Sequence, residues 1–362
     1  MPDYLSELLK PDALVAPVQR FADQSEDRSY LAVYEAGQMI EANVDGTFKY
    51  DQLDFSRDLA PLTSMDSPST SAKRLHQSVK TGSVIAVKEH VDLPMRFLEG
   101  WRAPGQQMAN AGVQINNNLQ NLVNRAMRSM NFLAAISLLT KTGAVDLSTI
   151  PSSLIAGTQT YPVATLDASQ AWSNAATKIR SSEINRLKKA YSQGAGFKAG
   201  VALATSAVEG YITGNTEISN FINGGTLAGQ ILGRSFEERG IGDVVRLGNM
   251  DWEFVEDYYA TDAAPSTPVD ISPDSAHVAI LPPRNRWMEC FAIAEGVEFV
   301  PTGPIATGDV IASPSSLIRA QRGWFSYVTL ETKPMGLRLH VGRVFQLVQK
   351  MPKAVLVFDS AG

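Results

Sequence analysis

The sequence predicts an α+β fold, and three observations predict it. An apolar stripe at helical spacing runs through residues 105–142, the other helices and strands fall in separate runs without βαβ alternation, and the chain returns to strand at its end. In front of the stripe lie two segments that are too extended and too often cut by proline to build a core alone.

The first of these, residues 1–50, carries Leu5, Leu8 and Leu9, then Val15, Val18 and Phe21, and is broken by Pro2, Pro11 and Pro17. Each large apolar side chain gains about 1.5–3 kcal/mol on full burial, so this arm needs a surface. Its own chain and a neighbouring subunit both qualify. Residues 51–103 begin loop-rich ("APLTSMDSPSTSAK"), turn at Thr81-Gly82, and continue into "SVIAVKEHVDLPM", whose period near two and β-branched residues predict an extended β-ribbon. A two-stranded ribbon is marginal in water. It must lie on its own domain or on a partner, and Lys80, Lys88, Arg96 and Arg102 suit a partly acidic one. Candidate contacts between subunits are therefore Leu8, Val18, Phe21, Lys80, Lys88, Arg96, Trp101 and Arg102.

Between Pro104-Gly105 and Gly143, the residues Met108, Ala111, Ile115, Leu119, Leu122, Ala126, Met130, Leu133 and Ile136 recur every three or four positions. About 35 residues at roughly 1.5 Å each give a rod of about 50 Å. Because the heptad is not strict, one stripe suits a helix lying across a sheet better than a free coiled coil. After 167 the pattern predicts a helix over 168–191, with Asp167 capping it and Gln170 returning the bond, then a strand over 197–204 and a helical "SAVEGYITG". A strand-rich section follows, interrupted by "DAAPSTPVDISPDS" and "LPPRNR". The end is strand again, with Leu337, Leu339 and Val341, then Val344 and Leu347, and finally the run Val355 to Phe358.

Composition and motifs exclude more than they suggest. The formal charge of −5 argues against a dedicated nucleic-acid binder, which needs a basic face. The single cysteine, Cys290, rules out an intrachain disulfide framework. "MPDYLSELLKPD" lacks the basic start and apolar run of a secretory signal, and no stretch approaches the roughly 18 apolar residues of a membrane span. His76, His90, His277 and His340 are scattered without metal-ligand spacing, and no G-x-S-x-G elbow occurs. "DWEFVEDYYATD" gathers Asp251, Glu253, Glu256, Asp257 and Asp262, but its alternation with Trp252 and Phe254 reads as a half-buried strand. In "QGAGFKAG" a helix precedes the glycines and a strand follows, the reverse of a dinucleotide loop. The spacing G-x-G-x-x-x-G is also wrong, and Gly194 fits a helix C-cap. No catalytic, cofactor or metal site is expected.

The order of the elements resembles the major capsid protein of tailed bacteriophages, the Hong Kong 97 fold, most closely its lambda-type "major capsid protein E" branch. Residues 1–50 are similar to that family's N-terminal arm and 51–103 to its extended E-loop. Residues 104–166, with "NRAMRSMNFLAAISLLTKTGAV", resemble the peripheral domain and its spine helix. Residues 167–330, with "GAGFKAGVALATSAVEGYITGN" and "NMDWEFVEDYYATDAAPSTPVDISPDSAHVAILPP", resemble the axial domain, and 331–362, ending "MPKAVLVFDS", the return strands of the peripheral domain. The resemblance implies a shell protein that assembles into pentamers and hexamers of an icosahedral head around double-stranded DNA. It implies no enzyme activity and no cofactor. The implied partners are further copies of itself, a portal, scaffolding or decoration proteins, and packaged DNA held by weak non-specific contact, with no membrane. The implied location is the virion capsid, assembled in the host cytoplasm. An encapsulin-type nanocompartment shares the fold and stays open as a reading, as does a nucleotide-dependent enzyme, which would need a strand before Gly194.

Overall fold

A computed structural model describes residues 11–25, 28–54, 76–94, 106–147, 158–224, 244–256, 258–261, 264–271, 276–299, 318–332 and 335–362, with 226, 229, 230 and 232. The N-terminal segment is helical where its prolines predicted a broken piece. Helix α1, Pro11–Gln24, contains Pro17. Pro11 occupies a first-turn position where the missing N–H costs nothing. The hydrogen bond forfeited at Pro17 is offset by burial of Leu14, Val15 and Val18, each at most 2% exposed, as α1 packs on the strand Trp324–Thr332 and the long helix Gln106–Leu139 of its own chain. Helix α2, Leu31–Glu35, follows and buries Leu31, Val33 and Tyr34.

Five strands make the first sheet. At its centre is β18, Met335–Gln349. On one side lies β17, Trp324–Thr332, in register from Trp324↔Arg343 to Thr332↔Met335. On the other, β4, Ile85–Pro94, pairs with β18 from Ile85↔Phe345 to Pro94↔Gly336. On the β17 side, past the start of β17, β14, Phe291–Glu295, pairs with the end of β18, and β1, Gln38–Glu41, lies parallel to β14. Helix α3, Gln106–Leu139, crosses this sheet. Thirty-four residues at 1.5 Å give about 51 Å. It ends at Leu139, and in the turn that follows Gly143 takes φ +58°, where a Cβ would sit 2.1 Å from the Tyr161 carbonyl oxygen.

Six strands make the second sheet, in the order β7 (Ala164–Asp167), β19 (Leu356–Asp359), β13 (His277–Leu281), β8 (Val201–Thr205), β10 (Met250–Val255) and β9 (Val244–Leu247). Its central strands are buried on both faces. Period two sorts them: Val201, Leu203, Ala279, Leu281 and Val357 join the core beneath α3, while Ala202, Ala204, Val278, Ile280 and Phe358 join a second core. That second core is roofed by α4 (Ile184–Ala195), α5 (Ser206–Thr213) and α6 (Thr216–Asn223), with Trp172 and Trp252 at its centre. Among the described residues there are also α7, Trp287–Cys290, and the ladders β2–β3 (Thr47–Asp54, His76–Ser83), β5–β6 (Ala144–Asp146, Thr158–Thr160), β11–β12 (Tyr258–Thr261, Ala264–Asp270) and β15–β16 (Glu298–Phe299, Ile318–Arg319).

Several boundaries differ from those expected. The division at residue 331 falls inside β17, and β14 and β17, placed in the axial segment, belong to the first sheet. The last strand, β19, which the resemblance assigns to the peripheral return strands, joins the second sheet between β7 and β13. Residues 168–178 are turns, with a π-helical turn over Ile179–Glu183 leading into α4, so Asp167 and Gln170 cap no helix. Asn215 explains this: its side-chain amide donates to the carbonyls of Ala175 and Thr177 and so holds the segment in turns.

Candidate assembly surfaces

The ribbon consists of β2, Thr47–Asp54, and β3, His76–Ser83, paired antiparallel from Thr47↔Ser83 to Asp54↔His76. Thr81 and Gly82 lie within β3, where a turn was expected, and Val84 alone separates β3 from β4. The reason is steric: Gly82 lies over the Phe48 ring, and a Cβ there would approach it to 2.5 Å. Phe48 in turn is buried against Ala42, Ala292, Ala294 and Val348, which roots the ribbon in its own first sheet. Away from that root, Lys80 is exposed and Val79 is 66% exposed.

Of the predicted contact residues, Lys80 on β3 and Lys88 on β4 point outward. They belong to different structures, since Lys88 sits opposite Gly342 in a ten-residue strand of the main sheet and only Lys80 is on the ribbon. Val18 and Phe21 are enclosed by their own chain, at 0% and 9% exposure, and present no surface to a neighbour. The physical reason is the helix: it turns both side chains to one face, which the chain itself covers. Leu8, Arg96, Trp101 and Arg102 lie outside the described residues.

What anchors the N-terminal segment are polar groups that the periodicity did not single out. Asn131 Oδ1, fully buried on α3, accepts the backbone N–H groups of Tyr30 (2.9 Å) and Leu31 (3.0 Å) at the start of α2. Tyr34 Oη and Ser137 Oγ are 2.8 Å apart, and Gln349 Nε2 donates to Tyr34 Oη at 3.0 Å. Burial pushes the Tyr34 hydroxyl up to about 12, so it stays protonated. Arg343, 6% exposed at its side chain, reaches Glu295 (2.5 Å) and Glu35 (3.2 Å), and Arg28 closes on Glu35 at 2.5 Å. Asn131 and Ser137 were visible as polar breaks in an apolar helix; the Arg343 pairs span 48 and 308 residues and left no local trace.

A second polar cluster fastens the end of α3 to the second sheet. Lys141 Nζ contacts Asp359 (2.6 Å) and Asp167 (2.8 Å), and His277 Nδ1 lies 2.7 Å from the carbonyl of Leu139. Of the acids of "DWEFVEDYYATD", Glu253 pairs with Arg284, and burial raises its pKa above the usual carboxylate range; Asp257 and Asp262 lie outside the described residues. Among the described residues no group of three or more His, Cys, Asp or Glu side chains stands close enough to share an ion. No helix among them is long and apolar enough to cross a membrane.

The glycine stretch is a helix stop followed by a close approach. Gly194 is still helical, and Gly196, at φ +88°, takes the left-handed cap predicted two residues earlier. Gly200 passes Pro283 so closely that a Cβ would lie 2.3 Å from its backbone. Every glycine in the stretch that the backbone constrains is thereby used for chain packing.

No family model matches the chain, and no curated protein matches it by sequence. Solved structures do. A candidate capsid protein of an E. coli CFT073 prophage is similar over 79% of this chain and 79% of its own, with a TM-score of 0.50 at 12% identity. A phage-related protein from Bordetella bronchiseptica RB50 is similar over 95% of this chain and 96% of its own, with a TM-score of 0.46 at 10% identity. The capsid of a native GTA particle is similar over 92% and 91%, with a TM-score of 0.46 at 11% identity. The long helix across the first sheet, the second sheet with its own helical roof, and the ribbon rooted between arm and helix follow the order the sequence led us to expect. With the likeness to the prophage protein, they identify this chain's fold as the Hong Kong 97-type capsid fold.

Proposed function

We propose that the protein is a major capsid protein, a non-enzymatic subunit that assembles into pentamers and hexamers of a closed icosahedral shell around double-stranded DNA. The observation that carries this reading is the fold, and the exposed ribbon supports it. Lys80 and Val79 stand outward on a two-stranded ladder that gains little by facing water. Lys88, on β4 of the first sheet, is exposed as well. An acidic net charge suits a container, because a strongly basic lining would hold phosphates too tightly for packing and release. The shell takes a portal as a partner, with scaffolding or decoration proteins; it is assembled in the host cytoplasm and becomes part of the virion.

Purified protein examined by light scattering and cryo-electron microscopy should give rings or closed shells. A stable monomer at both low and moderate salt would overturn the reading. Shells that carry nuclease-protected DNA support it; shells that enclose an enzyme cargo and no DNA would place the protein among cellular nanocompartments. Lys80→Glu combined with Lys88→Glu should leave circular dichroism unchanged while reducing the yield of shells.

A further inference from the structure

From Gln106 to Asn124 the long helix carries no charged residue, and ten of its positions are asparagine or glutamine. A solvated helix flank normally takes charges; on the second core's roof, exposed positions include Arg180 and Lys189. On α3, Ile115, Leu119, Leu122 and Val123 are buried against the first sheet side. The opposite flank holds Val113, Asn116, Asn117, Gln120, Asn121 and Asn124, spaced at i, i+3, i+4, i+7, i+8 and i+11. All but Asn124 are exposed, Val113 at 57%. The flank is about 17 Å long.

We propose that this carboxamide flank is a two-fold contact with the same flank of a second copy of the chain, a proposal that rests on the capsid reading above. In an isologous contact each residue near the axis approaches its own counterpart. A lysine or glutamate there would meet its like, which is repulsive. A carboxamide is donor and acceptor at once and can pair with its own copy. A flank stripped of both signs of charge, holding one exposed valine among self-complementary amides, has the composition of such a contact and not of a solvated surface. Charge begins again at Arg125, which turns aside to Glu89 of β4 at 2.8 Å.

Single cysteines placed in turn at Val113, Asn117, Gln120 and Asn124 test this directly. The native Cys290 is buried, and burial pushes its thiol up to about 12, so it does not compete. Oxidised shells should yield covalent dimers, strongest at one position and weaker on either side of it. In parallel, Asn117→Lys with Gln120→Lys, and Asn117→Glu with Gln120→Glu, should each keep the wild-type circular dichroism and cut assembly at least tenfold, and mixing the two should restore it. Shells of the cysteine variants that yield no covalent dimer at any of the four positions, with both charged variants assembling normally, would overturn the contact and leave the capsid reading standing. So would failure of the mixture to recover, which would mean that the flank meets some other partner. A lysine variant that assembles normally but retains linear double-stranded DNA in a salt-sensitive way would show that the flank faces nucleic acid. A wild type that never leaves the monomer overturns both ideas.

Discussion

Between Val113 and Asn124 the long helix buries one side and turns amides outward, whereas from Met130 to Leu139 it has no outward side, every one of those ten residues being buried. The same helix thus begins as an amphipathic rod on a sheet and ends as the middle of a core. The first sheet, the N-terminal helices and the inner face of the second sheet all close on the later half. Helical period alone describes the first half well. In the second half the informative residues are the exceptions, Asn131 and Ser137, whose polarity is matched to the main chain and side chain of the segment wrapped round them.

Adjacent residues offer the sharpest way to break this comparison. Leu122 is buried and Asn121 exposed, so Leu122→Asp should abolish soluble folded protein, since an unpaired buried carboxylate cannot be accommodated, while Asn121→Asp leaves the melting temperature unchanged. Equal behaviour of the two in thermal unfolding would refute the helix register. In the fully enclosed half, Leu133→Ala should cost about 2–5 kcal/mol in chemical denaturation. Next in size, Asn131→Ala strands two buried N–H groups and should cost about 1–3 kcal/mol, with early hydrogen exchange at Tyr30 and Leu31 as its local signature. Protection there that matches wild type would mean that the arm is held by apolar contact alone.

The smallest expected effect concerns the sheet beside the exposed half. His340 lies against Tyr327, with ring centroids 4.4 Å apart, and directly opposite His90. Burial, then the nearby His90, Lys88 and Arg338, lower its pKa from 6.5 to about 4, against a raising influence from Asp92. The folded state therefore takes up this proton less readily than the unfolded state. Stability present above about pH 6.5 should be lost as the pH falls toward 4. Melting curves across that range should fall more steeply for wild type than for His340→Gln; parallel curves would show that this ring contributes nothing.

The fold was legible where local pattern dominated: the α3 stripe, and the strand expected over 197–204 that forms as Val201–Thr205. It was not legible where distant partners overrode local preference. Asp167 looks like a cap but is tied to Lys141, and the turns after it are held by Asn215. Nothing within Val355 to Phe358 says that its strand will slot between Ala164–Asp167 and His277–Leu281. Of the candidate contacts, exposure at Lys80 and Lys88 followed from alternation in a strand. Val18 and Phe21 take the other surface the sequence leaves open, their own chain, because tertiary burial carries the helix through Pro17. The amide flank was in plain view as composition, but only the structure puts its members on one side.

The second sheet is a party wall: one set of side chains along β8, β13 and β19 fills the core under α3, and the alternate set fills the core under α4 to α6. Two rooms sharing a wall cannot swing relative to each other without tearing it, so the body of the subunit should melt in a single calorimetric transition. A closed lattice asks neighbouring subunits to meet at different angles. In the shell proposed above, that flexure would fall outside the wall, and Val84 is where the ribbon joins the first sheet.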